Sequence, residues 1–177
     1  MAENRTATAP HAPAWTTTAW LNSEPLTLEA LRGRVVVVEA FQMLCPGCVS
    51  GALPQAQRLH QTFGDEIALV GLHTVFEHHD AMTETSLRAF VSEYRLRFPI
   101  GIDAHDAQRQ PVTFSAYGMR GTPTTLLIDR EGRLRSHHFG AVEDMSLARA
   151  VTQLLNEQPA DLTGTPAGAC AADGTCT

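Results

Sequence analysis

The stretch Val35–Cys48, VVVVEAFQMLCPGC, decides how the rest of the chain is read. Val35 to Phe41 is an apolar, β-branched run, which predicts a strand buried on both faces, as in a parallel sheet. Pro46 suits the first turn of a helix, where its missing N–H costs little. Val49, Leu53, Ala56, Leu59 and Phe63 then recur at helical spacing as far as Gly64. Cys45-Pro46-Gly47-Cys48 therefore falls where a buried strand meets a helix N-terminus.

That position carries chemistry. A thiol attacks a disulfide only as thiolate, and the unpaired N–H groups and positive dipole end of a helix are expected to favour the thiolate of Cys45. Cys48, one turn inside, can attack the resulting mixed disulfide. Cys45 is thus the candidate nucleophile and Cys48 the resolving thiol. Half of a zinc site is an alternative, but no second C-x-x-C or H-x-x-x-H accompanies the pair. Two inert core cysteines are the other alternative, and the β-α-β setting favours redox work. No metal or cofactor is expected beyond a redox-active Cys45–Cys48 disulfide.

Working outward, Trp15 to Asn22 predicts a short edge strand, and Leu26, Leu28 and Leu31 a helical turn that stops at Gly33. Ile67 to Leu72 reads as a strand, Thr85 to Phe98 as a helix and Pro99 to Ile102 as a short strand. Pro111 to Tyr117 reads as a further helix. Thr124 to Ile128 and Leu134 to Phe139 form a hairpin across Asp129-Arg130-Glu131-Gly132. Leu147, Val151, Leu154 and Leu155 mark a final helix. The order predicts an α/β domain with a mixed central sheet flanked by helices. Residues 1–14 are expected to be a disordered extension, 15–158 the domain and 159–177 a flexible, cysteine-containing tail.

The 177 residues carry a net charge of −6, against sequence-independent nucleic-acid binding. No run reaches the length of a membrane span, and no basic cluster suits anionic lipid. MAENRTATAPHAPAW has one Arg and no apolar core, so no secretory signal and a cytoplasmic location are expected. Cysteine pairs there are catalytic or metal-binding more often than structural.

The stretch VVVVEAFQMLCPGC resembles the active-site strand and motif of the thioredoxin superfamily. PLTLEALRGR before it resembles the redoxin branch, which includes TlpA-like thiol–disulfide reductases. Further points of likeness are Phe98-Pro99, Asp103, the run Ala116 to Thr124 (AYGMRGTPT) and LLIDREGRLR after it. The resemblance spans roughly residues 20 to 157. It implies a thioredoxin-like fold and exchange with protein or small-thiol disulfides, fed by an electron donor. It also implies three site residues. Glu39 matches a buried acid that passes protons to and from Cys48. Pro123 matches a cis-proline loop facing the dithiol, and the backbone of Thr122 would pair with an extended substrate segment. Leu44, where most thioredoxins have Trp, and the order Pro46-Gly47 depart from the thioredoxin pattern and leave substrate and direction of electron flow open.

Cys170 and Cys176 bracket a short, turn-prone segment. From Gln158, a flexible coil reaches roughly 19 Å to Cys170 as a root mean square, or about 40 Å fully extended. The pair is a candidate second dithiol that relays electrons to or from Cys45–Cys48; incidental tail cysteines are the competing reading. His73, His78 and His79 with Glu77 and Asp80 read as a polar loop rather than a metal site. Met43 and Met119 read as apolar packing rather than copper ligands. Of the other functions, a thiol peroxidase needs P-x-x-x-T/S-x-x-C, and Gln42 stands three places before Cys45. A copper chaperone of this fold usually spaces its cysteines by three residues.

Overall fold

A computed structural model describes residues 9–157. Six strands form one sheet in the order β1-β4-β3-β2-β5-β6. They are β1 (Thr17–Leu21), β2 (Val35–Phe41), β3 (Ile67–His73), β4 (Ile100–Asp103), β5 (Thr124–Ile128) and β6 (Leu134–Phe139). β2, β3 and β4 run parallel, while β1, β5 and β6 pair antiparallel with their neighbours. The expected mixed sheet and its connections are present.

β2 lies at the centre and all seven of its residues are buried. Side chains alternate along a strand. Val35, Val37 and Phe41 therefore pack on one face with Leu53, Ala56 and Leu59 of α1 (Leu53–Phe63) and with Leu147, Val151 and Leu154 of α4 (Asp144–Asn156). Leu87 and Val91 of α2 (Glu84–Glu93) join that layer. Val36, Val38 and Ala40 face the other way, against Leu28, Leu31, Tyr117 and Met119, with Phe114 of α3 (Val112–Ala116) alongside. The two layers leave β2 no wet face, which explains its unbroken apolar reading.

The structure departs from the sequence reading in three places. The helix predicted over Thr85–Phe98 ends at Glu93. Pro99 disfavours a helical Phe98, and Arg95 turns the chain with φ +53°. Leu96 and Phe98 are thereby fed into the core, and the Asn22 side chain donates to both of their carbonyls at 2.9 Å. Second, residues 9–13 of the segment expected to be disordered are held against the hairpin. Ala12 N–H donates to Gly132 O, Leu134 N–H to Pro10 O, and Tyr117 Oη–H to Pro13 O. The backbone there supplies partners that the start of β6 would otherwise lack. Third, the helix after Pro46 opens through a π-turn at Cys48–Ala52 before continuing as α1.

The helix starts are capped from within the sequence. The Thr83 hydroxyl accepts from Ser86 N–H, and the Glu143 carboxylate accepts from Met145 and Ser146 N–H. Asp103, at the end of β4, caps α3: its carboxylate accepts from Thr113 N–H, Phe114 N–H and the Thr74 hydroxyl. This bond set joins β3, β4 and α3 below the site.

Candidate functional site

β2 delivers the chain to the site. After Phe41 the backbone turns, and Cys45 N–H donates to Gln42 O at 3.2 Å. Cys45 and Cys48 are free thiols; Cys45 is half-buried and Cys48 is 0% exposed. Cys48 N–H donates to Cys45 Sγ at 3.3 Å. Cys45 Sγ in turn lies 3.4 Å from Thr122 O. One sulfur therefore faces outward with a donor behind it, and the other is sealed beneath the first turn. Burial pushes the Cys48 thiol up to about 12, and its hydrogen bond with Cys45 adds to the rise. Bonds from the Gln42 backbone and the Thr122 side chain act the other way.

Thr122 and Pro123 approach from the loop before β5. Their peptide bond is cis. Pro123 O accepts from Gly140 N–H at 2.8 Å, tying the loop to the end of β6. A Cβ at Gly121 would meet the Phe139 ring at 2.7 Å, so a side chain there would require that ring to shift. Phe139 itself is half exposed and carries the Arg120 guanidinium over its face, 5.2 Å from the centroid.

Glu39 sits within β2 directly opposite Thr125 of β5. It is 2% exposed, and the Thr125 hydroxyl donates to Oε2 at 2.9 Å. Oε1 has no hydrogen-bond partner among the described residues. Desolvation lifts the carboxyl to about 8. The Thr125 bond opposes that rise, and the charge of Cys45 reinforces it. Glu39 and the dithiol are thus within electrostatic range of one another.

The structure brings Cys45 and Thr122 together on the wall of an open cavity, with Cys48 buried behind Cys45, Pro123 next to Thr122 and against Gly47, and Glu39 in the sheet. The cavity measures about 440 Å³, and Gln42, Leu44, Phe76 and Glu77 join Cys45 and Thr122 on its wall. The sequence reading missed Gln42 and Phe76 as wall residues. Gln42 follows a strand end and precedes the motif, so proximity was the available signal; Phe76 carried none.

The histidines do not form one polar loop. His73 closes β3, because the strand runs one residue past Leu72, and it is buried beside Phe41 with ring centroids 5.3 Å apart. Burial, reinforced by His105, lowers it to about 4. His78 is exposed, and His79 lies against His105 at 5.2 Å. Among the described residues no group of three or more His, Cys, Asp or Glu side chains could hold a metal ion. Met43 and Met119 are buried in opposite layers of the core. Cys170 and Cys176 lie outside the described residues. Among the described residues no helix is long and apolar enough to cross a membrane.

Comparison with known proteins adds relatives to this geometry. Residues 9–137 match the AhpC/TSA family. The crystal structure of SPOA0173, described as a thioredoxin-like superfamily protein, is 51% identical, with a TM-score of 0.83 over 85% of this chain and 99% of that one. A structure described as a thiol-disulfide isomerase from Corynebacterium glutamicum is 44% identical, with a TM-score of 0.81 over 86% of this chain and 99% of that one. The thiol-disulfide oxidoreductase ResA of Halalkalibacterium halodurans is 29% identical over 127 residues, 70% of this chain and 64% of ResA. The chain spans between about a fifth and two thirds of the length of the curated relatives it matches.

Proposed function

This chain belongs to the AhpC/TSA family and has a thioredoxin-like fold, and from that premise we propose that it is a thiol–disulfide oxidoreductase working through Cys45 and Cys48. The observation that carries the proposal is the asymmetry of the dithiol: one sulfur opens on a cavity and the other is sealed behind it.

The cycle runs in two exchanges. Cys45, as thiolate, attacks one sulfur of a substrate disulfide; a Cys45–substrate S–S bond forms, the substrate S–S bond breaks, and the departing thiolate takes up a proton. Cys48 then loses its proton and attacks Cys45 Sγ. The Cys45–Cys48 bond forms as the mixed disulfide breaks, and the second substrate thiol leaves. Two electrons pass from the enzyme dithiol to the substrate, and an external thiol or dithiol donor restores the enzyme.

Glu39 is the proposed acceptor for the Cys48 proton. A carboxyl held near 8 exchanges a proton at neutral pH, whereas a thiol held near 12 needs help to lose one. Thr122, at the lip of the cavity, is the proposed docking point for extended substrate backbone. The proposed substrates are protein or small-thiol disulfides. The peroxidase alternative has no support at Gln42, where its motif requires Thr or Ser.

Reduction of insulin disulfides with dithiothreitol as donor tests the proposal. Turnover well above the dithiothreitol background is expected; a rate equal to background refutes it. Cys170 and Cys176 are proposed as a relay dithiol held at an effective concentration of order mM by their tether. Removing residues 159–177 should then slow turnover with the natural donor severalfold while sparing the dithiothreitol-driven rate. Unchanged turnover with the natural donor after the truncation would remove the relay.

A further inference from the structure

The first exchange releases a substrate thiolate that takes up a proton, and Glu39 is not placed to give it. Glu39 is 2% exposed within β2 and has no place on the wall of the cavity that Cys45 lines. The three sulfurs of a disulfide exchange lie close to one line. The departing sulfur therefore stands two S–S lengths, roughly 4 Å, beyond Cys45 Sγ and out in the cavity. Its proton must come from solvent or from another group on that wall.

His78 lines the cavity with Cys45 and carries a group suited to the task. An imidazole changes protonation near neutral pH, and its cation is a stronger acid than a thiol. The other wall residues offer less. Leu44, Pro46 and Phe76 are apolar, and Gln42 Nε2 is sealed within the protein. Glu77 and Thr122 bring a carboxyl and a hydroxyl; carboxylates accept protons rather than supply them, and a hydroxyl is a far weaker acid.

The loop that presents His78 is held in place. His78 stands at φ +49°, in the left-handed region where His is among the few side chains enriched. Its carbonyl accepts Ala81 N–H at 3.0 Å and Met82 N–H at 3.1 Å. On either side the loop is pinned to the chain that leads into α3. Val75 O accepts from His105 Nε2 at 2.6 Å, Arg109 O accepts from His79 Nε2 at 3.1 Å, and the Phe76 and Phe114 rings lie 5.1 Å apart. His79 and His105 are occupied by those carbonyls and His73 is buried, whereas His78 is exposed on the cavity. Backbone held in a sparsely populated conformation beside a nucleophile is a mark of function.

We propose that His78 is a catalytic acid of the first exchange, which suits the site to disulfides whose departing thiol is basic, as a cysteine thiol is. The Cys45–substrate bond forms, the substrate S–S bond breaks, and the imidazolium gives a ring N–H proton to the departing sulfur. The neutral imidazole regains a proton from solvent, and no further oxidant or reductant enters the step. This rests on the oxidoreductase reading above.

The test mixes pre-reduced protein, free of dithiothreitol, with two uncharged disulfides. Bis(2-hydroxyethyl) disulfide releases a basic thiolate that needs a proton; 4,4′-dithiodipyridine releases a thiopyridone that does not. Loss of free Cys45 is read by acid quench, alkylation and peptide mass, and the readout is the ratio of the two second-order rate constants. His78→Asn removes the acid and keeps a residue that tolerates a left-handed backbone. At pH 6 it should lower the ratio of hydroxyethyl to pyridyl rates about tenfold or more. The gap between wild type and variant should narrow towards pH 9, as the imidazolium is lost. Glu77 and the Asp80–Arg109 pair flank His78 in the loop, the His79 and His105 rings stack behind it, and Cys45 and Glu39 lie across the cavity. Titration of Cys45 and Glu39 enters both rate constants alike and cancels in the ratio. A ratio within twofold of wild type at pH 6 overturns the inference, including the case in which both rates fall together because the loop is disturbed. A gap that does not narrow with pH overturns it too, as does wild type that reacts with the pyridyl disulfide alone. Wild type that reacts with neither disulfide overturns the oxidoreductase reading, and the inference with it.

Discussion

Replacing Cys45 with serine should reduce disulfide turnover by about a thousandfold or more, because no other described thiol reaches solvent. Cys48 is fully buried behind the first turn, so it cannot take over the first attack. Cys48→Ser should behave differently. The first exchange survives in that variant, since Cys45 keeps its place beside Thr122 O and on the cavity. The second exchange fails, and a Cys45–substrate adduct should accumulate to near one equivalent, readable by mass on the intact protein. Substantial turnover by Cys45→Ser, or normal product release by Cys48→Ser, would refute the assignment of the two thiols. The same asymmetry predicts that iodoacetamide adds first and singly to the reduced protein, at Cys45.

Replacing Glu39 with glutamine should stabilise the protein at alkaline pH and slow the second exchange. The carboxyl is lifted from 4.5 to about 8 by burial, so between those values the folded chain holds a proton that the unfolded chain has released. Stability from this group is full below about pH 4.5 and is lost as pH rises through about 8. The amide keeps the size of the side chain and an acceptor for the Thr125 hydroxyl, and it has no charge to bury. Above pH 8 the variant should gain on the order of 4 kcal/mol over wild type, a gain that vanishes near pH 4.5. Denaturant unfolding at several pH values measures the difference. Turnover should show the opposite pattern. Wild type accelerates as the carboxyl ionises and can accept the Cys48 proton, whereas Glu39→Gln should be slower and lack that rise. Parallel pH profiles for both stability and rate in the two proteins would mean that Glu39 titrates as an ordinary carboxyl.

The legible parts of this chain were those where one local signal had one physical meaning. Val35 to Phe41 has no polar face, so it could only be a central strand. The strand-forming runs Thr124–Ile128 and Leu134–Phe139 and the short connection between them defined the hairpin to the residue. The end of α2 was not legible, because apolar residues continue at helical spacing through Tyr94. The helix ends at the turn through Arg95 ahead of Pro99, and Asn22, distant in sequence, then holds the carbonyls of Leu96 and Phe98. Residues 9–13 read as solvated for a similar reason: their partners, Gly132 and Leu134, lie at the other end of the domain. At the site, the two cysteines and Glu39 were visible in β2 and its continuation. The cavity was not, since its wall joins Phe76 and Thr122 to Gln42 only through the sheet order.

The π-turn at Cys48–Ala52 has a consequence for how this helix tolerates changes in length. A π-turn accommodates an extra residue within an otherwise α-helical path. It therefore sets the phase between two parts of one helix: the cysteine turn, where Gly47 faces Pro123, and α1, whose Leu53, Ala56 and Leu59 fill the core. Each residue of an α-helix advances about 100° around its axis. Deleting a residue of the π-turn such as Gly51 would regularise the hydrogen bonding with that phase largely kept, whereas deleting one from the regular first turn of α1 would rotate Pro46, Gly47 and Cys48 by about that angle relative to the anchored face of α1. The dithiol turn would then point away from the Thr122–Pro123 loop although no atom of Cys45, Cys48 or Pro123 had been removed. In this chain the aim of the cysteines is a matter of helical phase as much as of residue identity.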